Sequence, residues 1–167
     1  GDISAYAIDA NSGVLTALSG SPVAAGTGPY SLTIAPNGKF AYAANRGSDN
    51  ISIYGIDGTT GALASIGTSA TGDNPYVVNI DPSGKFAYTV NFDSYDISNF
   101  NIDNTTGMLT TVGTVTNRLG TGMAMTQGAT AVTYTPKYAY VANGSSDDVS
   151  AYSIEASTGE LTSIGAP

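Results

Sequence analysis

The sequence contains neither cysteine nor histidine. The first absence excludes disulfide scaffolds, thiolate metal sites and cysteine nucleophiles. The second removes the commonest general base, the Ser-His-Asp triad and nearly every zinc site. Charge is also scarce. Only 11% of the residues are charged, and five bases, Lys39, Arg46, Lys85, Arg118 and Lys137, face 13 acids for a net charge of −8. That balance argues against a nucleic-acid partner, because phosphate binding is driven by cationic surface. A cationic partner or a divalent metal is permitted but not implied, and neither a metal site nor a cofactor is assigned. No run of 18 or more apolar residues occurs, so membrane insertion by a helix is not expected. No stretch of about 11 residues carries helical spacing without Gly, Pro or a β-branched run intervening.

What the chain does have is repetition. Among its 167 residues a hairpin unit recurs four times, as AIDANSGVL (7–15), GIDGTTGAL (55–63), NIDNTTGML (101–109) and SIEASTGEL (153–161). Its glycines Gly13, Gly61, Gly107 and Gly159 are spaced 48, 46 and 52 residues apart. A second unit stands between the hairpins, as PYSLTIAPNGKFAYAAN (29–45), PYVVNIDPSGKFAYTVN (75–91) and the shorter ATAVTYTPKYAYVAN (129–143). Each copy is two apolar, β-branched or aromatic runs around a Pro-Gly type turn, the pattern of strand, tight turn, strand. Four antiparallel strands, A to D, at this period match a β-propeller blade, for which about 40 to 50 residues are usual. The expected fold is therefore all-β. An outer C-D hairpin of an incomplete blade spans 1–18, and three blades span 29–66, 75–112 and 129–164, about three and a half blades in all.

The elements Pro-Tyr, Pro-x-Gly-Lys-Phe-Ala-Tyr-x-x-Asn and Ile-Ser-x-Tyr-x-Ile-Asp-x-x-Thr-Gly-x-Leu together resemble the seven-bladed lactonase-like propellers. That family includes 6-phosphogluconolactonases and carboxymuconate cyclases and merges with the YVTN-repeat propellers of surface proteins. The resemblance covers essentially the whole chain and implies the fold more sharply than the activity. The muconate-lactonizing members imply a His, Arg and Glu constellation, and this chain has no His. Fourteen strands are also half of the number in seven four-stranded blades. An open arc of this kind exposes apolar faces and free edges. Another protein chain, or a missing part of the same chain, is thus the expected partner.

Repetition sorts structural residues from candidate functional ones. Asn45, Asn91 and Asn143 open each B-C loop in register, and Gly13, Gly61, Gly107 and Gly159 close each hairpin turn, as structural repeat positions do. The hairpin acids Asp9, Asp57, Asp103 and Glu155 are expected to bond the turn backbone, with Lys39, Lys85 and Lys137 as exposed partners. Residues that break the repeat are the ligand-binding candidates: Arg46, Asp93, Arg118 and Asp147, on the face shared by the D-A and B-C loops. An apparent insertion, TNRLGTGMAMTQG (116–128), is expected to carry Arg118, Met123 and Met125 to that face. Three sequons, at Asn50, Asn104 and Asn143, lend some support to export.

The favoured reading is a non-enzymatic module for binding or assembly, located outside the cell, at the cell surface or in the periplasm, with an unknown small-molecule ligand and no catalytic residue assigned. The alternatives are a lactonase-type hydrolase or cyclase, in which Arg46 or Arg118 holds a carboxylate or phosphate and Asp93 or Asp147 acts as base, and a structural subunit of a filament or surface layer.

Overall fold

A computed structural model describes residues 1–118, 120–126, 137–143 and 148–164. Every regular element among them is a β-strand. Three four-stranded antiparallel sheets form the blades. The first comprises β5 (Pro29–Ile34), β6 (Phe40–Asn45), β7 (Asn50–Ile56) and β8 (Leu63–Ala70). The second comprises β9 (Pro75–Ile80), β10 (Phe86–Asn91), β11 (Asp96–Ile102) and β12 (Leu109–Thr116). The third comprises β13 (Gly120–Met125), β14 (Tyr138–Asn143), β15 (Asp148–Ile154) and β16 (Leu161–Ser163). Ahead of them lies a half blade. Its C strand is split into β1 (Asp2–Ile3) and β2 (Tyr6–Ile8), which pair with β4 (Val23–Ala24) and β3 (Leu15–Ala17) respectively.

One expectation needs correction. The first strand of the last blade is β13, not the run beginning at Ala129, and β13 pairs with β14 from Gly120↔Asn143 to Met125↔Ala139. Met123 and Met125 are therefore strand residues, half-buried against the core beneath the second and third blades, and not loop residues at the ligand face. Small residues explain the early start: a Cβ on Gly120 would collide with Asn117 and Val141, so β13 enters where only glycine fits. The extra residues stand in the chain between β13 and β14 rather than between β12 and β13. Residues 127–136, including the run once expected to be this strand, lie outside the described residues.

The core lies between blades. Tyr42, Ile51 and Ile53 of the first blade pack with Val78, Ala87 and Phe100 of the second. Phe86, Tyr88, Val90 and Ile97 of the second pack with Ala139, Val141, Tyr152 and Leu161 of the third. A smaller cluster joins Ala41, Ala43 and Tyr54 to Ile3 and Val23 of the half blade. Strands β6 and β10, with a blade on either side, are buried at every position, whereas β14 alternates and exposes Tyr138 and Tyr140.

A repeated contact locks neighbouring blades. The Tyr42 hydroxyl donates to the Gly107 carbonyl at 2.9 Å, and the Tyr88 hydroxyl donates to the Gly159 carbonyl at 3.2 Å. Burial pushes the Tyr42 phenol up to about 12 and that of Tyr88 up as well, so both remain protonated donors. Gly107 and Gly159 have φ of 77° and 74°, and a Cβ on either would collide with the ring of Phe40 or Phe86. Left-handed backbone and ring contact both demand glycine there. Gly13 and Gly61 adopt the same conformation, at φ 71° and 72°.

The turns of these hairpins are closed by their acids. One carboxylate oxygen accepts the backbone N–H groups of the turn: Asp57 from Thr59 and Thr60, Asp103 from Thr105 and Thr106, Asp9 from Asn11 and Ser12. Glu155 accepts from the N–H and the hydroxyl of Ser157. Among the described residues these acids form no ion pair with Lys39, Lys85 or Lys137, contrary to expectation; one oxygen of each carboxylate is directed at its own turn instead.

Candidate functional site

The opposite face is built from the loops after strands B and D. Each B-C loop hangs from a buried asparagine. Asn45 Nδ2 donates to Asn50 Oδ1 at 2.8 Å and to Ser52 Oγ at 2.9 Å, and Asn91 Nδ2 donates to Asp96 Oδ1 at 2.7 Å and Ser98 Oγ at 2.8 Å. Asn143 repeats the second bond, to Ser150 at 2.7 Å. The D-A loop then folds over this network, Gly26 N–H donating to Ser52 Oγ and Gly72 N–H to Ser98 Oγ. A Cβ on Gly72 would collide with Ser94, Asp96 and Asn91. Rigid turns therefore bring loop residues from adjacent blades to fixed positions.

At one such position, Arg46 lies between two tyrosines. Its guanidinium carbon stands 4.8 Å from the Tyr30 ring centroid and 4.3 Å from that of Tyr76. Both tyrosines follow a proline at the start of an A strand, Pro29 in β5 and Pro75 in β9, so two neighbouring blades supply the walls. Such cation–π contacts stabilise and orient the guanidinium. Arg46 Nε donates to Asn74 Oδ1 at 2.8 Å, and Asn74 Nδ2 donates to Asp93 Oδ2 at 3.0 Å. The backbone N–H of Asn74, a residue with φ 58°, donates to Asp49 Oδ1 at 2.8 Å. Phe92 continues the row, its ring 4.9 Å from Tyr76.

Among the described residues Arg46 makes no direct ion pair, and the carboxylates of Asp49 and Asp93 reach it only through Asn74. With Nε committed to Asn74, Arg46 lines a shallow cleft of about 310 Å³ together with Gly28, Pro29, Tyr30, Gly47 and Asn74. A planar guanidinium presented in this way suits a carboxylate or phosphate. Asp93 is exposed, with one carboxylate oxygen held by Asn74.

Of the four candidates from sequence, Arg46 and Asp93 come together through Asn74. Arg118 is exposed in the short turn between β12 and β13 and makes no side-chain contact with this cluster. Asp147 lies outside the described residues. Tyr30, Asn74, Tyr76 and Phe92 were not candidates, although two Pro-Tyr pairs at equivalent strand starts were a visible signal. No group of three or more acids that could hold a metal occurs among the described residues.

The family model for lactonase, seven-bladed β-propeller, matches residues 16–125, well over half of the chain. The chain belongs to the seven-bladed lactonase propeller family. Its fold is similar to that of a candidate 6-phosphogluconolactonase from Bacteroides uniformis, with a TM-score of 0.84 at 25% identity over 98% of this chain and 47% of that one. A second candidate 6-phosphogluconolactonase, from Bacteroides fragilis, gives a TM-score of 0.77 at 25% identity over 95% of this chain and 46% of that chain. The periplasmic gluconolactonase of Pseudomonas aeruginosa shares the fold at 21% identity, with a TM-score of 0.77 over 90% and 43% of the two chains. The lactonase propeller chain thus spans about half the length of these structures. No curated protein matches it.

Proposed function

We propose that this lactonase-family chain takes part in hydrolysis of an anionic sugar lactone, with Arg46 holding the substrate carboxylate or phosphate. The observation that carries the reading is the Arg46 guanidinium clamped between Tyr30 and Tyr76 with no direct ion pair among the described residues. Family membership and the names of the similar structures support it further. This reading replaces the non-enzymatic module as the better supported one. The absence of histidine does not prevent the chemistry, since a carboxylate can act as the base.

In this mechanism the anion docks on the Arg46 terminal nitrogens and sets the lactone carbonyl over the loop face. Asp93 takes a proton from water, and the water oxygen bonds to the carbonyl carbon. The ring C–O bond then breaks, and the ring oxygen leaves as a hydroxyl by taking the proton that Asp93 received from water, which restores the Asp93 carboxylate. Asn74 bridges the anion-binding arginine to the base and is a positioning residue.

The test is hydrolysis of 6-phosphoglucono-lactone and of unphosphorylated gluconolactone by the purified chain. Arg46→Ala is expected to lower kcat/KM for the phosphorylated substrate at least tenfold, mainly through KM, and Asp93→Asn to lower kcat with KM little changed. Absence of turnover on both substrates, or turnover indifferent to Arg46→Ala, overturns the proposal. Binding of 6-phosphogluconate without turnover overturns hydrolysis in favour of a binding module.

A further inference from the structure

One hairpin departs from the repeat on the face that otherwise keeps to it. The residue after the turn acid is Ala10, Gly58, Asn104 and Ala156 in the four copies, so the second blade alone places an amide at this corner. Asn104 opens the run Asn-Thr-Thr, and Asn104, Thr105 and Thr106 are all exposed. Asparagine followed two residues later by Ser or Thr is the acceptor pattern for N-linked sugars, which must stand at the surface.

The fold separates the three sequons of the chain. Asn143 is 2% exposed and its Nδ2 donates to Ser150 Oγ at 2.7 Å, so the atom that would carry a sugar is committed inside the blade. Asn50 is half-buried, and the other two residues of its sequon, Ile51 and Ser52, are 0% and 4% exposed. The Ser52 hydroxyl, which an enzyme reading that sequon must reach, already accepts from the Asn45 amide and the Gly26 N–H.

Asn104 differs from both. Its Oδ1 accepts from Asn37 Nδ2 at 3.4 Å, in the A-B turn of the preceding blade, while its own Nδ2 donates no hydrogen bond among the described residues. The corner is also held firmly. Asp103 accepts the N–H groups of Thr105 and Thr106 on its carboxylate and that of Gly107 on its carbonyl, and Tyr42 donates to the Gly107 carbonyl from beneath. A fixed turn thus presents an amide nitrogen and, two residues on, an exposed hydroxyl.

We propose that Asn104 is an N-glycosylation site, taking an oligosaccharide from a lipid diphosphate-linked donor. Nδ2 bonds to the anomeric carbon of the first sugar, and the bond from that carbon to the diphosphate oxygen breaks. The lipid diphosphate leaves with the bonding electron pair, and Nδ2 gives up one proton to a base of the transferase. The hairpin face lies opposite the Arg46 cleft, so a glycan here leaves that cleft open, and the inference does not depend on lactone hydrolysis.

The experiment incubates the purified, folded chain with a single-subunit oligosaccharyltransferase and a lipid diphosphate-linked oligosaccharide, followed by intact mass and peptide mapping. The mass is expected to rise by a single glycan, mapped to Asn104. Asn104→Gln and Thr106→Ala each abolish the increase, and Thr106→Ser retains it, while circular dichroism shows each variant folded. A folded chain that stays unmodified while a synthetic peptide of residues 99–109 is glycosylated overturns the proposal, because the hairpin then withholds its acceptor. A peptide that is itself refused overturns it as well, since the local sequence is then no acceptor. So does a glycan mapped to Asn50 or Asn143 of the folded chain.

Discussion

The two faces of the blades are made from the same repeat, yet they treat it differently. On the hairpin face every copy closes its turn in one way, with an acid on the backbone and a left-handed glycine. On the loop face equivalent positions diverge. Arg46 and Phe92 each follow the buried asparagine, and Gly28 and Asn74 each precede the A-strand proline with positive φ. At Gly107 and Gly159 the hairpin face joins blade to blade, so a change in either would break a contact between neighbours. The loop face hangs on its own asparagine network, which leaves the outward side chains free to differ.

The contrast is broken most strongly at the hairpin glycines. Gly107→Ala places a Cβ against the Phe40 ring at a left-handed φ and is expected to cost about 3 kcal/mol or more, whereas Gly13→Ala, with the same φ but open space, costs about 1 kcal/mol; urea denaturation of both variants measures the difference. Asn91→Ala on the loop side removes the buried amide that holds Asp96 and Ser98 and is expected to cost about 2 kcal/mol, read in the same assay. Tyr42→Phe deletes one buried hydroxyl bond between blades, for about 1 kcal/mol. Arg46→Ala sits at the small end, shifting stability by under about 1 kcal/mol, while removing anion recognition.

The hairpin acids add a pH signature. Hydrogen bonds from the turn backbone, or for Glu155 from the Ser157 hydroxyl first, hold the carboxyls of Asp9, Asp57, Asp103 and Glu155 below their ordinary values. A lowered folded-state value stabilises the fold above the unfolded pKa, 3.8 for Asp and 4.5 for Glu, and that contribution is lost as pH falls through the folded value. Acid titration followed by circular dichroism is therefore expected to show destabilisation below about pH 4, with a shallower slope in Asp57→Ala.

Much of this arrangement was legible from repetition. Hairpin glycines at near-constant spacing located the blades, and residues that broke the register, Arg46 and Asp93, pointed to the loop face. The partners of Arg46 escaped notice for the opposite reason. Tyr30 and Tyr76 recur in register and so resembled blade scaffolding, and Asn74 becomes visible only when its left-handed backbone turns its amide between two blades. Strand β13 was misplaced because Gly-Thr-Gly-Met-Ala-Met has no β-branched run to announce a strand, while Thr-Pro-Lys-Tyr imitates the A-B turn of the other copies. Packing between blades, rather than local propensity, decides that element.

The lock between blades also bears on how such chains change in length. The first two blades each carry a Phe-Ala-Tyr strand that closes on the following hairpin, and the hairpin glycines of the second and third blades each receive the preceding strand. A gene duplication of any segment one repeat long, such as the 46 residues separating Gly61 from Gly107, delivers both halves together. The inserted unit finds a fitting neighbour on either side without further mutation, so blade number can be altered by copying alone while the loop tips of each new copy remain free to acquire different ligands.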